Sequence, residues 1–184
     1  MHRVIPRHQG GLSLIELVMV FVVLSVALGA GLPSFQSLVA AGRMSTARSG
    51  LTLAFAQARS EAVVRASNVV VCPGNGDGGC ADTIHWQRGW ISFEDGNRNG
   101  VRDAGEPQTG AGSVPPGVAV ATSNGRRSVR YLADGTSEGS NVTLTFCDRR
   151  GASRASALAL NNAGRLRRVA VDPGNAATAC GAVE

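Results

Sequence analysis

Hydrophobic and polar positions divide this chain into three regimes. Residues 1–11 (MHRVIPRHQGG) are short, polar and basic, and they give way at once to LSLIELVMVFVVLSVALGAGL, Leu12 to Leu32, in which Glu16 is the single charge. A run of about 20 residues rising about 1.5 Å each matches a hydrocarbon core roughly 30 Å thick, so residues 12–33 are expected to form a membrane-spanning helix. Arg3 and Arg7 put the preceding segment on the cytoplasmic side by the positive-inside bias. From residue 34 to 66 the apolar positions Phe35, Leu38, Val39, Leu51, Ala54, Phe55, Ala58 and Ala62 recur at three- and four-residue spacing, with Arg43, Arg48, Arg59 and Arg65 on other faces. That period predicts an amphipathic helix whose apolar stripe packs on a domain. Pro33 removes one backbone hydrogen bond where the two halves meet, and Gly29, Gly31 and Gly42 soften the same helix.

After Ala66 the helical period ends, and short runs appear between clusters of Gly, Pro, Asn and Asp. We read strands over 68–72, 84–95 (two strands, or one long bent one), 117–122, 128–133, 141–148, 156–161 and 165–172. Close spacing of this kind predicts a compact antiparallel sandwich, or a pair of sheets, laid on the helix and occupying residues 67–184.

Composition then narrows the chemistry. The 184 residues hold enough chain for one globular domain beyond the anchor, and 24 Gly with 4% aromatic residues point to a turn-rich head. Four cysteines, Cys72, Cys80, Cys147 and Cys180, form no CxxC pair and no His-containing zinc spacing, which favours two disulfides in an oxidising compartment over metal. The spacing of Cys72 and Cys80 allows a local bridge, leaving Cys147 with Cys180 to pin the C-terminal tail, although four cysteines permit three pairings. All 18 basic residues are Arg, so no lysine-dependent phosphate loop, Schiff base or general base exists here. Beyond the leader only His85 remains among the histidines, and the usual hydrolase triads and zinc sites cannot be assembled. An enzymatic role is not expected.

Two segments carry candidate binding chemistry. DGNRNGVRDAGE, from Asp95 to Glu106, fits the spacing of a calcium loop, with Asp95, Asn97, Asn99, Asp103 and Glu106 as oxygen donors and Gly100 at the sharp turn. Such an Asx- and Gly-rich run is also what an exposed turn requires on its own account. The second segment is AGRLRRVAV, residues 163–171. Read as a strand, it projects Arg165 and Arg167 from one face about 7 Å apart, close to the separation of successive backbone phosphates. Residues 126–168 hold nine Arg against Asp134, Glu138 and Asp148, whereas residues 71–110 hold three Arg against six acids. The head is therefore polarised along its sequence, with a distal half suited to nucleic acid. An Arg-rich strand edge also resists aggregation or faces a partner subunit, which is the competing reading.

Glu16 is the residue that most needs an explanation. A carboxylate within an apolar span costs roughly 3 kcal/mol on insertion scales, so it requires a partner. A secretory signal peptide would place a small-residue cleavage site after the apolar segment and would not carry an acid near its start. The pattern Gly11, Leu12, Ser13, Leu14, Ile15, Glu16, Leu17 resembles the prepilin-peptidase site of type IV pilins and type II secretion pseudopilins, in which cleavage follows the glycine and the fifth mature residue is glutamate. Pro33 falls at mature position 22, where pilins commonly carry a kinking proline; Leu12 departs from the phenylalanine with which most members begin. The order of helix, Trp-bearing GWISFED segment and strands ending in AGRLR resembles the FimT and GspH branch of minor pilins over nearly the whole chain.

The resemblance implies an α+β, pilin-like fold, in which a long N-terminal helix packs on a C-terminal antiparallel β-sandwich head. It further implies removal of residues 1–11 by prepilin peptidase between Gly11 and Leu12, N-methylation of Leu12, and an assembly salt bridge from Glu16 to the new N-terminal amine of a neighbouring subunit. The expected partners are other minor and major pilins or pseudopilins, with a single pass through the inner membrane, a periplasmic head, and later a pilus or pseudopilus. In FimT-like pilins a C-terminal GRxR motif is associated with DNA binding in natural transformation, and Gly164, Arg165, Leu166 and Arg167 match it, with Arg168 adjoining. Double-stranded DNA is the partner this implies. A GspH-like pseudopilin in the tip complex of a type II secretion system, working through subunit contacts alone, is the alternative.

Overall fold

The structure, a computed structural model, describes residue 11 and residues 13–183, without the side chains of residues 27–33. Residues 1–10 of the leader expected over 1–11, the new N-terminus at Leu12 and the side chain of Pro33 lie outside the described residues. Among the described residues no helix is long and apolar enough to cross a membrane, and the span expected over 12–33 includes positions outside them. The chain forms two compact units, residues 1–38 and 39–184. Helix α1, Leu14–Arg65, contributes to both.

In the first unit the helix starts at Leu14, with Glu16 in its first turn, where unpaired amide groups and the aligned peptide dipoles favour a negative charge. Its large apolar side chains from Leu14 to Val26 are all exposed, from 48% at Leu17 to 81% at Leu14. A continuous apolar surface of this extent marks a segment that works against lipid or other protein rather than water. The backbone runs through Pro33 without leaving the helical conformation.

The second unit is built on the other half of α1. Ala40, Met44, Ala47, Leu51, Ala54, Phe55, Ala58 and Ala62 form its buried stripe. Phe35 and Leu38, expected in that stripe, are 64% and 69% exposed. Eight strands follow: β1 (Asn68–Pro73), β2 (Trp90–Asp95), β3 (Gln108–Gly112), β4 (Val118–Thr122), β5 (Val129–Tyr131), β6 (Val142–Asp148), β7 (Ser156–Leu160) and β8 (Leu166–Val169). They make two four-stranded antiparallel sheets, ordered β3-β2-β1-β5 and β4-β6-β7-β8. One core joins the helical stripe to both sheets, through Val69, Val71, Val129 and Tyr131 of the first and Val118, Val120, Leu144, Phe146, Leu158 and Leu160 of the second. Leu51 and Phe55 are fully enclosed, and burial of each such side chain contributes about 2 kcal/mol.

Every residue of β1 and β4 is buried, because these strands are covered on both faces. Val69 and Val71 face the helix, while the alternate residues Val70 and Cys72 join Ile91 and Phe93 in a smaller cluster against which Cys80 packs. On the second sheet, Ala121 and Cys147 meet Ala179, Cys180 and Val183 of the C-terminal segment. That segment contains helix α2, Pro173–Cys180, capped by Asp172, whose carboxylate accepts from Asn175 N at 3.0 Å, with proline in the first turn. The two disulfides, Cys72–Cys80 and Cys147–Cys180, each hold one of these covers to the strand beneath.

Three parts differ from the sequence reading. Only 90–95 of the 84–95 stretch is a β2 strand; the portion before it pairs with β4 instead, through Trp86 N to Val120 O and Thr122 N to Ile84 O, which drives the Trp86 ring into the core. Strand β3, QTGAG, has no alternating apolar pattern, since it is an outer strand that accommodates the Trp90 ring: a Cβ on Gly112 would lie 2.3 Å from Trp90 Cζ2. Helix α2 was also not expected, although its Asp-Pro start is a capping signal.

Closing a loop between residues 33 positions apart restricts the unfolded chain by about 3–4 kcal/mol. Cys147→Ser/Cys180→Ser is therefore expected to lower the thermal melting point of the head by several degrees and to raise protease cleavage at the C-terminal segment, measured by calorimetry and limited proteolysis; an unchanged melting point refutes the role given to this staple.

Candidate nucleic-acid interface

The GRLR motif straddles the turn between β7 and β8. Gly164 N donates to Asn161 O at 2.9 Å, Asn161 N donates to Arg165 O at 3.2 Å, and the Asn161 side chain accepts from Arg165 N at 2.9 Å. This is a tight hairpin closed by a residue with positive φ, and Gly164 supplies it at φ +72°. A second constraint applies at the same residue: an added Cβ would lie 2.3 Å from Gly135 O, 3.2 Å from Tyr131 Cε1 and 3.3 Å from Arg59 Nε. Arg59 of α1 in turn donates through Nε to Gly135 O at 2.8 Å. Helix, β5–β6 turn and β7–β8 turn thus meet at one carbonyl, and the glycine of the motif is a packing requirement.

The arginines of the motif do not share one face. Arg165 precedes β8 and borders a groove of about 700 Å³ beside α1, together with Phe55, Arg59, Val63, Val64 and Leu166. Arg167 pairs with Ala159 across the sheet and borders a separate cavity with Asn124, Asn141 and Asn162. Arg168 pairs with Leu158, whose side chain faces the core, and borders a third cavity against α1. The 7 Å pair expected for Arg165 and Arg167 requires both to lie within a regular strand, whereas Arg165 belongs to the turn. All three arginines are exposed, Arg167 and Arg168 on an outermost strand and Arg165 just before it, and none has a carboxylate partner among the described residues.

Charge separation along the sequence is partly undone in space. Arg127 pairs with Asp82, Arg130 lies 3.5 Å from the fully buried Asp95, and Arg150 binds Asp148 through both Nε and a terminal nitrogen at 3.0 and 2.7 Å. The basic stretch therefore neutralises two acids of the 71–110 stretch across the fold, Asp82 and Asp95, and leaves Arg165, Arg167 and Arg168 among the arginines without a carboxylate partner in the described residues. Burial alone would raise the Asp148 carboxyl, but the hydrogen bonds and charge of Arg150 outweigh it and hold the group below its ordinary 3.8.

The loop considered for calcium connects β2 to β3. Asp95 Oδ2 accepts from Gly100 N at 3.1 Å and faces Arg130, so the cation beside this carboxylate comes from the chain itself. The side-chain amides of Asn97 and Asn99 both donate to Asp103 Oδ2, at 2.7 and 2.9 Å, and the two Glu106 oxygens accept from Gly96 N and Asp103 N. Among the described residues no group of three or more His, Cys, Asp and Glu is arranged to hold a metal ion, and oxygens of Asp95, Asn97, Asn99, Asp103 and Glu106, the residues expected to hold calcium, are engaged in the loop's own contacts.

The family described as type II transport protein GspH matches residues 47–164, and the prokaryotic N-terminal methylation motif matches residues 6–32. This chain belongs to the GspH family. It is a minor pilin or pseudopilin: a prepilin-type protein of the inner membrane that is processed by prepilin peptidase and assembles with other pilins, without enzymatic activity or a known cofactor. Its fold is similar to that of the type IV minor pilin FimU of Pseudomonas aeruginosa in two crystal forms. The first gives a TM-score of 0.54 at 17% identity over 70% of this chain and 90% of that one; the second gives 0.52 at 18% over 68% and 92%. No curated protein sequence matches the chain.

Gly164→Ala is expected to destabilise the head by about 3 kcal/mol, combining backbone strain with the collision at Gly135, and to lower its melting point by roughly 6–12 °C. A variant melting within a degree of the original contradicts the packing role. For Asp148, a carboxyl whose pKa is lower folded than unfolded contributes stability that is present above about pH 4 and lost as pH falls through the folded value. Asp148→Asn should lower stability at neutral pH and flatten the loss seen in denaturant titrations as pH falls below the ordinary carboxyl range; an equally steep acid loss assigns that loss to other groups.

Proposed function

We propose that this chain is a minor pilin of a type IV pilus, and that its head holds double-stranded DNA during uptake through non-specific phosphate contacts. Cleavage between Gly11 and Leu12, followed by N-methylation of Leu12, leaves Glu16 as the fifth mature residue. There it pairs with the amine of a neighbouring subunit, which offsets the cost of a carboxylate in an apolar surrounding. Residues 12–33 form the single membrane pass, and Pro33 marks its end; the head lies in the periplasm and later on the pilus.

The observation that carries the DNA reading is the outermost strand β8 and the turn before it, where Arg165, Arg167 and Arg168 are exposed and without carboxylate partners among the described residues. Guanidinium groups on both sides of a strand edge suit a polyanion, because each is a planar fork for phosphate oxygens and stays charged at any working pH. Gly164 sets the turn that presents them. A second reading, a minor pseudopilin at the tip of a type II secretion system, is favoured by the description of the family itself. Neighbouring genes for a secretin and pseudopilins support that reading, and neighbouring minor pilin genes support the first.

The DNA reading is tested with the full chain in detergent and a labelled duplex. Arg165→Gln/Arg167→Gln is expected to weaken binding at least tenfold and to reduce the salt slope by about two. Equal affinity and slope in the variant and the original chain reject the assignment.

A further inference from the structure

Arg168 leads to a second basic feature, on the helix side of β8. A cavity of about 440 Å³ is lined by Arg48 and Met44 of α1, by Arg150, by Arg154 of the 3-10 turn Ala152–Arg154, and by Ser156 and Arg168 of β7 and β8. Four arginines from four stretches of chain therefore border one space. The nearby carboxylate, Asp148, is fully buried and already holds Arg150 in a two-pronged ion pair. Among the described residues Arg48, Arg154 and Arg168 have no ion-pair partner; Arg48 donates to the Ser156 hydroxyl at 3.3 Å. Partial burial, and then the charge of Arg168, lower the affinity of the Arg48 guanidinium for its proton. Like charges gathered around a cavity without a compensating acid leave a site that gains from an incoming anion.

We infer that this cavity is a phosphate pocket, in which Arg48, Arg154 and Arg168 hold one phosphate group between α1, the 3-10 turn and β8. Three forks approaching from different directions suit the oxygens of a tetrahedral phosphate better than the two coplanar oxygens of a carboxylate. That the phosphate belongs to a nucleic-acid backbone rests on the DNA reading above. The pocket would then receive the backbone on the helix side of β8, while Arg167 meets it on the opposite side.

The test uses the full chain in detergent, with inorganic phosphate, glutamate and chloride compared at equal ionic strength, and Arg48→Gln/Arg154→Gln beside the original chain. Phosphate is expected to raise the melting point of the original chain saturably by a few degrees, and the variant should lose that rise. General salting effects act on both alike and cancel in the comparison. Because the substitutions relieve repulsion, the variant should melt no lower than the original chain in chloride. Arg154→Gln alone, on an exposed turn, gives a second reading should the double variant fold poorly, and half or more of the rise should disappear. No phosphate-dependent rise, an equal rise with glutamate, or a rise retained in the variants overturns the pocket. With a labelled duplex, the double variant should bind at least fivefold more weakly, with a salt slope lower by about one. If the original chain binds duplex and the variant matches it in affinity and slope, the backbone assignment falls while the DNA reading stands. If the original chain binds no duplex but its phosphate rise depends on Arg48 and Arg154, the DNA reading falls and the pocket stands as a site for free phosphate.

Discussion

Both sheets of the head close on one surface, the face of α1 from Ala40 to Ala62. Alanine at 40, 47, 54, 58 and 62 and the larger Met44, Leu51 and Phe55 make up its buried face. The largest cluster among the described residues joins this helix face to both sheets, and two smaller clusters cover their other faces. The position of β8, and with it the basic edge, follows from this arrangement. Leu158, Leu160 and Leu166 turn toward the helix, and the register then fixes which arginine lies on which side of the strand.

Much of this was legible in the chain. The apolar run with its one acid, the amphipathic continuation and most strands could be read from periodicity, because each depends on local pattern, whereas the four cysteines left three pairings open until the fold brought Cys72 to Cys80 and Cys147 to Cys180. What escaped depended on contacts distant in sequence. Strand β3 is defined by the Trp90 ring that its glycine accommodates, and Ile84–Trp86 left β2 to pair with β4. The stripe on α1 began later than its apolar residues suggested, since Phe35 and Leu38 lie outside the compact head.

The candidate site was recognisable by type but not by layout. Spacing indicated that Arg165 and Arg167 act together, yet the hairpin turn places them beside different cavities. Counting charge along the chain located the basic half but not its neutralisation by Asp82 and Asp95, which needs the fold. Arg48 and Arg59 gave no signal beyond lying off the apolar stripe, and their roles appear only when the strands are in place.

The shared carbonyl of Gly135 has a mechanical consequence. Arg59 grips it from the helix, and Gly164 rests against it from the β7–β8 turn with no room for a methyl group between. The hairpin tip therefore abuts a carbonyl that the helix itself holds through one hydrogen bond, so a shift of the tip toward Gly135 meets a group already tied to α1.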